Sequence, residues 1–282
     1  MRPWLLLGFF FTMSCKAICQ ERVRVVYKRI DTVSLHLDIL HPVGYAESRD
    51  LPALVFFHGG SWKHGSPAQL SKHAEHFVKR GAVCFLVEYR VSERHGTTPY
   101  EALKDAKSAM RHIRSKAWDY RISPNRIIGV GGSAGGHLAA ASALIDGFDE
   151  SGDDMSVSCK PDALVLFNPV IDTGPEASAI KDLVDKRGDT DFSPLHNIRS
   201  GAPPTILFFG TKDKFIPVET AKRYKSEMDR VGVRCDLLLY EGQPHGFFNV
   251  KNPEYFTRTL AEADRFLVSL GAIKVEGLEN KD

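Results

Sequence analysis

The stretch Ile127-Ile128-Gly129-Val130-Gly131-Gly132-Ser133-Ala134-Gly135-Gly136-His137 decides how the rest of this chain is read. A short apolar run enters it, and residues 138–144 leave it with the character of a helix. Between them, Gly131 to Gly135 satisfies the pattern G-x-S-x-G. Small residues on either side of a serine at a strand-to-helix junction permit a turn sharp enough to lift its hydroxyl above the sheet edge. The same letters also describe a glycine-rich helix start with Ser133 as its N-cap. The pattern is weak by itself, and its position between strand and helix gives it force.

Outward from this junction, wholly apolar runs recur at 53–57, 82–87, 127–130, 163–167, 205–209 and 237–240. Runs of that length and uniformity suit strands buried on both faces of a mainly parallel sheet. Between them lie helical periods: Leu70, Ala74, Phe77 and Val78 on one face, and Leu103, Ala106, Met110 and Ile113 on another. Ala221, Tyr224 and Met228 share a third face, and Leu260, Ala263, Leu267 and Leu270 a fourth. Ahead of this alternation, residues 22–40 read as two strands joined by a turn at Asp31-Thr32. In the second of them Val33, Leu35, Leu37 and Ile39 alternate with polar residues. The expectation is an α/β fold: a mostly parallel central sheet with helices on both faces and an antiparallel N-terminal hairpin. No linker composition divides residues 20–282, so they are expected to form a single domain. The segment 171–203 lacks strand character and is placed to border a pocket, and the polar tail from Lys274 is expected to fray.

The chain has 282 residues, with 37 Lys plus Arg against 35 Asp plus Glu. No run of one sign appears, so neither a nucleic-acid partner nor a polybasic membrane anchor is expected. At the N-terminus Arg2 precedes the apolar run Leu5 to Phe11, and small and polar residues follow through Cys19. That order describes a secretory signal peptide over residues 1–19, with cleavage after Cys19 or after Ala17. The run is far below the roughly 20 residues of a membrane-spanning helix, so no stable span is expected. Secretion or export to the periplasm is the expectation, favoured over lipid anchoring because the bulky Met13 beside Ser14 makes a poor lipoprotein site. Cleavage would remove Arg2, Lys16 and two of the five cysteines, leaving a formally neutral chain. Cys84 and Cys235 read as buried packing residues and Cys159 as a loop residue. Three cysteines at this spacing fit neither a disulfide scaffold nor a zinc site.

A serine that attacks an ester needs a proton acceptor, a carboxylate to orient that acceptor, and donors for the developing oxyanion. After the run 205–209 comes Gly210-Thr211-Lys212-Asp213, and after 237–240 comes Glu241-Gly242-Gln243-Pro244-His245. Asp213 and His245 thus fall at strand carboxyl ends downstream of Ser133, although either could be an ordinary turn or loop residue. His58-Gly59-Gly60-Ser61-Trp62 follows the run 53–57, where two glycines let backbone N–H groups approach a ligand. Gly59, Gly60 and Ala134 are the candidate oxyanion donors. Trp62 is a candidate substrate contact that could equally pack the loop. His137 lies one helical turn past Ser133 with its ring expected to face away, and His58 is expected to brace the loop. His73 and His76 have no third ligand in sequence, so no metal is expected.

Taken together, these strings resemble the α/β-hydrolase superfamily, in its HGG-bearing esterase branch related to hormone-sensitive lipase. The similarity is greatest to bacterial bifunctional feruloyl/acetyl-xylan esterases and runs from Val33 through Phe266. It is carried by His58 to Trp62, Glu88-Tyr89-Arg90, Ile122 to Arg126, Gly131 to Gly136, Ser193-Pro194-Leu195, Gly210 to Asp213 with Pro217, and Pro244 to Phe247. The resemblance implies Ser133 as nucleophile, Asp213 as acid, His245 as base and Gly59 with Gly60 as the oxyanion loop. It implies an esterase for short acyl esters, small-molecule or polysaccharide-borne, with no cofactor. No long N-terminal cap of the kind many lipase-like relatives carry is expected, so long-chain lipids are not the expected substrates. Two other readings stay open: a serine peptidase of the prolyl-oligopeptidase type, and a binding protein that keeps the fold without catalysis. The oligomeric state is not legible.

Overall fold

The computed structural model describes residues 22–175, 177 and 190–274. The expected signal peptide lies outside the described residues, as do the tail after Lys274 and the middle of the segment 171–203. Strands form at β1 (Arg22–Ile30), β2 (Val33–Leu40), β3 (Leu51–Phe57), β4 (Val83–Val87), β5 (Ile122–Gly132), β6 (Ala163–Phe167), β7 (Thr205–Gly210) and β8 (Cys235–Tyr240). They make a sheet in the order β1-β2-β4-β3-β5-β6-β7-β8. β1 pairs antiparallel with β2, and β2 antiparallel with β4. From β4 to β8 every pairing is parallel.

Burial explains the uniform apolar runs. Along β3, Ala53, Val55 and Phe57 point into one core while Leu54 and Phe56 point into the other, and all are buried. Helices α1 (Ser71–Lys79) and α6 (Pro253–Ser269) cover the second face; α3 (Pro99–Ser115), α4 (Ala134–Leu144) and α5 (Val218–Arg230) cover the first, and a single turn, α2 (Ser92–His95), links β4 to α3. Every residue of α4 is buried, so this helix has no polar face and directly carries the end of β5. Pro99 opens α3 behind a capping box of Thr98 and Glu101, which fixes where that helix begins. No helix among the described residues is long and apolar enough to cross a membrane. Cys84, Cys159 and Cys235 are all free thiols.

A buried ionic group joins α3 to the end of β4. Asp105, with no exposed side-chain surface, accepts from the Arg90 backbone N–H at 3.0 Å and from Arg90 Nε at 2.8 Å. It also accepts from Lys28 Nζ at 2.8 Å. Glu150 lies 2.9 Å from Lys28 Nζ. A buried carboxylate with two cations is tolerated because hydrogen bonds replace the lost water. The consequence for the site is positional: the chain immediately after β4 is held by α3.

Candidate active site

Ser133 stands between β5 and α4 with φ 54° and ψ −121°, a backbone region a non-glycine residue rarely enters. Three main-chain hydrogen bonds hold it there. Its N–H donates to Phe167 O at 3.0 Å, and its carbonyl accepts from His137 N and Val170 N, each at 3.1 Å. Gly135 permits the close approach beneath it, since an added Cβ would lie 2.0 Å from Phe57 O. The Ser133 side chain makes no N-cap bond to α4. Its Oγ lies 3.1 Å from His245 Nε2 instead.

His245, in the loop after β8, has Nδ1 2.7 Å from Asp213 Oδ2. An ionised carboxylate only accepts, so Nδ1 carries the proton, and Nε2 is left to accept from the serine hydroxyl. The Asp213 side chain is fully buried, and its other oxygen accepts from the N–H groups of Phe215 (2.8 Å) and Ile216 (2.9 Å). One carboxylate therefore orients the imidazole and shapes its own loop. The fold brings together Ser133, Asp213 and His245, from the ends of three different strands.

Asn168 belongs to the same cluster and was not anticipated. It is fully buried just past β6, accepts from Gly246 N–H at 3.0 Å, and has Nδ2 3.4 Å from His245 Nε2. It tethers the histidine loop to the sheet. The available signal was a polar residue at the carboxyl end of the apolar run 163–167, directly before Pro169.

In the oxyanion loop one expectation is corrected. The Gly59 N–H donates to Gln69 Oε1 at 2.6 Å, so it is already engaged and is not a free donor for an oxyanion. The amides of Gly60, Ser61 and Ala134 have no protein acceptor among the described residues. Gly60 adopts φ +121°, and a Cβ there would sit 2.2 Å from His64 O. Gly60→Ala is therefore expected to displace the loop and lower kcat by about 10²-fold or more, in line with loss of one oxyanion donor. Steady-state kinetics with an unchanged far-UV spectrum is the check.

The remaining candidates are structural. Trp62 is 1 % exposed and packs edge-on against His137 with centroids 5.1 Å apart, so it belongs to the core and not to a pocket mouth. The His137 Nε2 is 2.8 Å from Phe192 O, turned from the serine as expected. His58 stacks on Tyr89 at 4.1 Å, and Tyr89 donates its hydroxyl to His58 O at 2.7 Å. Through Tyr89 and Arg90 the loop is braced on α3. His73 is buried against Phe167, Phe248 and Phe256. No group of three or more His, Cys, Asp or Glu that could hold a metal occurs among the described residues.

Burial pushes His58, His73 and His137 each down to about 4 from 6.5. In this window the unfolded chain binds protons that the folded chain refuses, so stability rises with pH. The stabilisation is complete above pH 6.5 and is lost as pH falls from 6.5 toward 4. Each histidine contributes a slope of at most about 1.4 kcal/mol per pH unit. The urea midpoint is expected to drop steeply between pH 7 and pH 5; a flat profile would contradict the neutral burial of all three.

The sheet order, the strained serine turn and the chain order Ser133, Asp213, His245 define the class of the protein as an α/β-hydrolase. The family model BD-FAE matches residues 37–228, and the chain belongs to that family. Among solved structures, the apo form of Thermogutta terrifontis esterase 2 superposes with TM-score 0.86 at 37% identity, covering 91% of this chain and 97% of that one. The propionate-bound structure of that esterase gives TM-score 0.85 at 37% identity over 92% and 97%. Curated relatives are more distant. The acetylxylan esterase of Xylanibacter ruminicola is 26% identical, covering 80% of this chain and 47% of its own length. Esterase LipC of Mycobacterium tuberculosis is 27% identical over 71% and 54%. The chain spans about half the length of the curated relatives it matches.

Proposed function

We propose that this chain is a serine carboxylesterase that hydrolyses short-chain acyl esters through an acyl-enzyme on Ser133. The observation that carries the reading is the continuous relay from Ser133 Oγ through His245 to Asp213, at 3.1 Å and 2.7 Å. His245 Nε2 takes the hydroxyl proton as Oγ attacks the ester carbonyl, and Asp213 stabilises the imidazolium that results. The amides of Gly60 and Ala134, with that of Ser61 beside them, receive the oxyanion. The C–O bond to the alcohol breaks, and His245 delivers its proton to the departing oxygen. Water, activated by the same imidazole, then cleaves the acyl-enzyme.

Short acyl groups are favoured because the related Thermogutta esterase has been captured with propionate and with butyrate. Acetyl or feruloyl esters on plant polysaccharide are the finer reading, supported by the acetylxylan esterase relative. A screen of acetyl, butyryl and feruloyl esters with acetylated xylan tests it, alongside fluorophosphonate labelling. Turnover of acetyl or butyryl esters and label on Ser133 are expected; no turnover and no label would reject the esterase reading. Export is proposed from residues 1–19 alone, and fractionation of producing cells, with N-terminal sequencing of the secreted form, tests it.

A further inference from the structure

Phe215 leaves 61 % of its surface open, beside the histidine of the site. Its ring meets that of His245 at an angle of 63°, with centroids 5.2 Å apart. Isolated apolar residues on a protein surface are common and need no explanation. This one differs in how it is held. Its backbone N–H donates to Asp213 Oδ1 at 2.8 Å, and the next residue, Ile216, is buried and donates to the same oxygen at 2.9 Å. The carboxylate that orients the imidazole therefore also fixes the backbone of an exposed aromatic side chain. A ring whose backbone is already ordered loses less entropy when something stacks on it.

The reaction geometry says which half of a substrate would meet that ring. During acylation His245 must hand its proton to the departing alcohol oxygen, so the alcohol stands on the imidazole side of Ser133. The oxyanion stands on the other side, against Gly60 and Ala134. We propose that Phe215 is the alcohol-side subsite of this enzyme, selecting esters whose alcohol carries a ring with a flat apolar face. Phe215 is then a specificity determinant for acylation, and it takes no part in deacylation, when the alcohol has already left. The proposal rests on the esterase reading above.

The test holds the acyl group constant as acetate and varies the alcohol: ethyl acetate, phenyl acetate and an acetylated methyl xyloside. Wild type is compared with Phe215→Ala and Phe215→Trp, each substrate serving as its own reference so that intrinsic reactivity cancels. For Phe215→Ala, kcat/KM for a ring-bearing ester is expected to fall roughly tenfold relative to ethyl acetate, the scale of one aromatic contact. Phe215→Trp is expected to restore the ratio. A loss confined to phenyl acetate assigns the subsite to aryl alcohols, a loss confined to the xyloside assigns it to sugars, and both together assign it to either ring. An equal fall for all three esters, or an unchanged ratio in an active enzyme, overturns the subsite and leaves the esterase reading standing. A wild-type chain inert to all three overturns both.

Discussion

Ser133→Ala is expected to reduce ester turnover by about 10⁴- to 10⁶-fold while the chain stays folded. The fold survives because the strained turn is held by main-chain bonds to Phe167, His137 and Val170, none of which uses the hydroxyl. Alanine keeps the Cβ, so the cost of φ 54° is the same for both residues. Turnover of p-nitrophenyl acetate and thermal melting of the variant decide the matter. Substantial residual turnover would remove Ser133 from the nucleophile's role. In the proposed mechanism the three side chains act as one unit, so adding His245→Ala to Ser133→Ala is expected to cost little more than either change alone. Asp213→Asn is expected to lose about 10⁴-fold by favouring the wrong imidazole tautomer. Its loop contacts to Phe215 and Ile216 need only an oxygen, which asparagine retains.

The largest stability effect is expected far from the serine. Asp105→Ala strips a fully buried carboxylate from Arg90 and Lys28, leaving two nearly buried cations short of a partner. Breaking a buried ionic group from one side typically costs about 3–5 kcal/mol. For a chain of this size that is a fall in Tm of roughly 10 °C. Differential scanning calorimetry measures it, and a drop within a degree or two of wild type would contradict the account. Glu150 lies within 3.3 Å of Arg90 and 2.9 Å of Lys28, and it limits the damage without replacing the lost acceptor. The loss also bears on the site, because Arg90 follows Tyr89, on which His58 and the oxyanion loop rest.

Much of the architecture was legible because burial writes itself into composition. Strands covered on both faces must be apolar throughout, so the runs at 53–57 and 205–209 announced themselves. The N-terminal hairpin did the same by alternation, ending at the turn Asp31-Thr32. Ser133, Asp213 and His245 were legible for a different reason: each stands a few residues past the end of an apolar run, and in this topology strand carboxyl ends share one rim of the sheet.

Contacts between side chains and main chain across a loop were not legible. Gln69 lies ten residues from the amide it occupies, in a short 3-10 helix (Pro67–Leu70) with no recognisable motif, and only its approach shows that Gly59 is engaged. Asn168 had no pattern beyond its position, and Trp62 lay equally near the site and the core until His137 and Phe192 enclosed it. The order of apolar runs and polar junctions thus determined the sheet and the rim on which Ser133, Asp213 and His245 stand. Tertiary structure alone decided which amides stay free, which aromatic ring beside His245 is left exposed and which carboxylate is buried between two cations. Those depend on contacts at hydrogen-bond distance between groups far apart in the chain, and a one-dimensional pattern of residue types does not encode them.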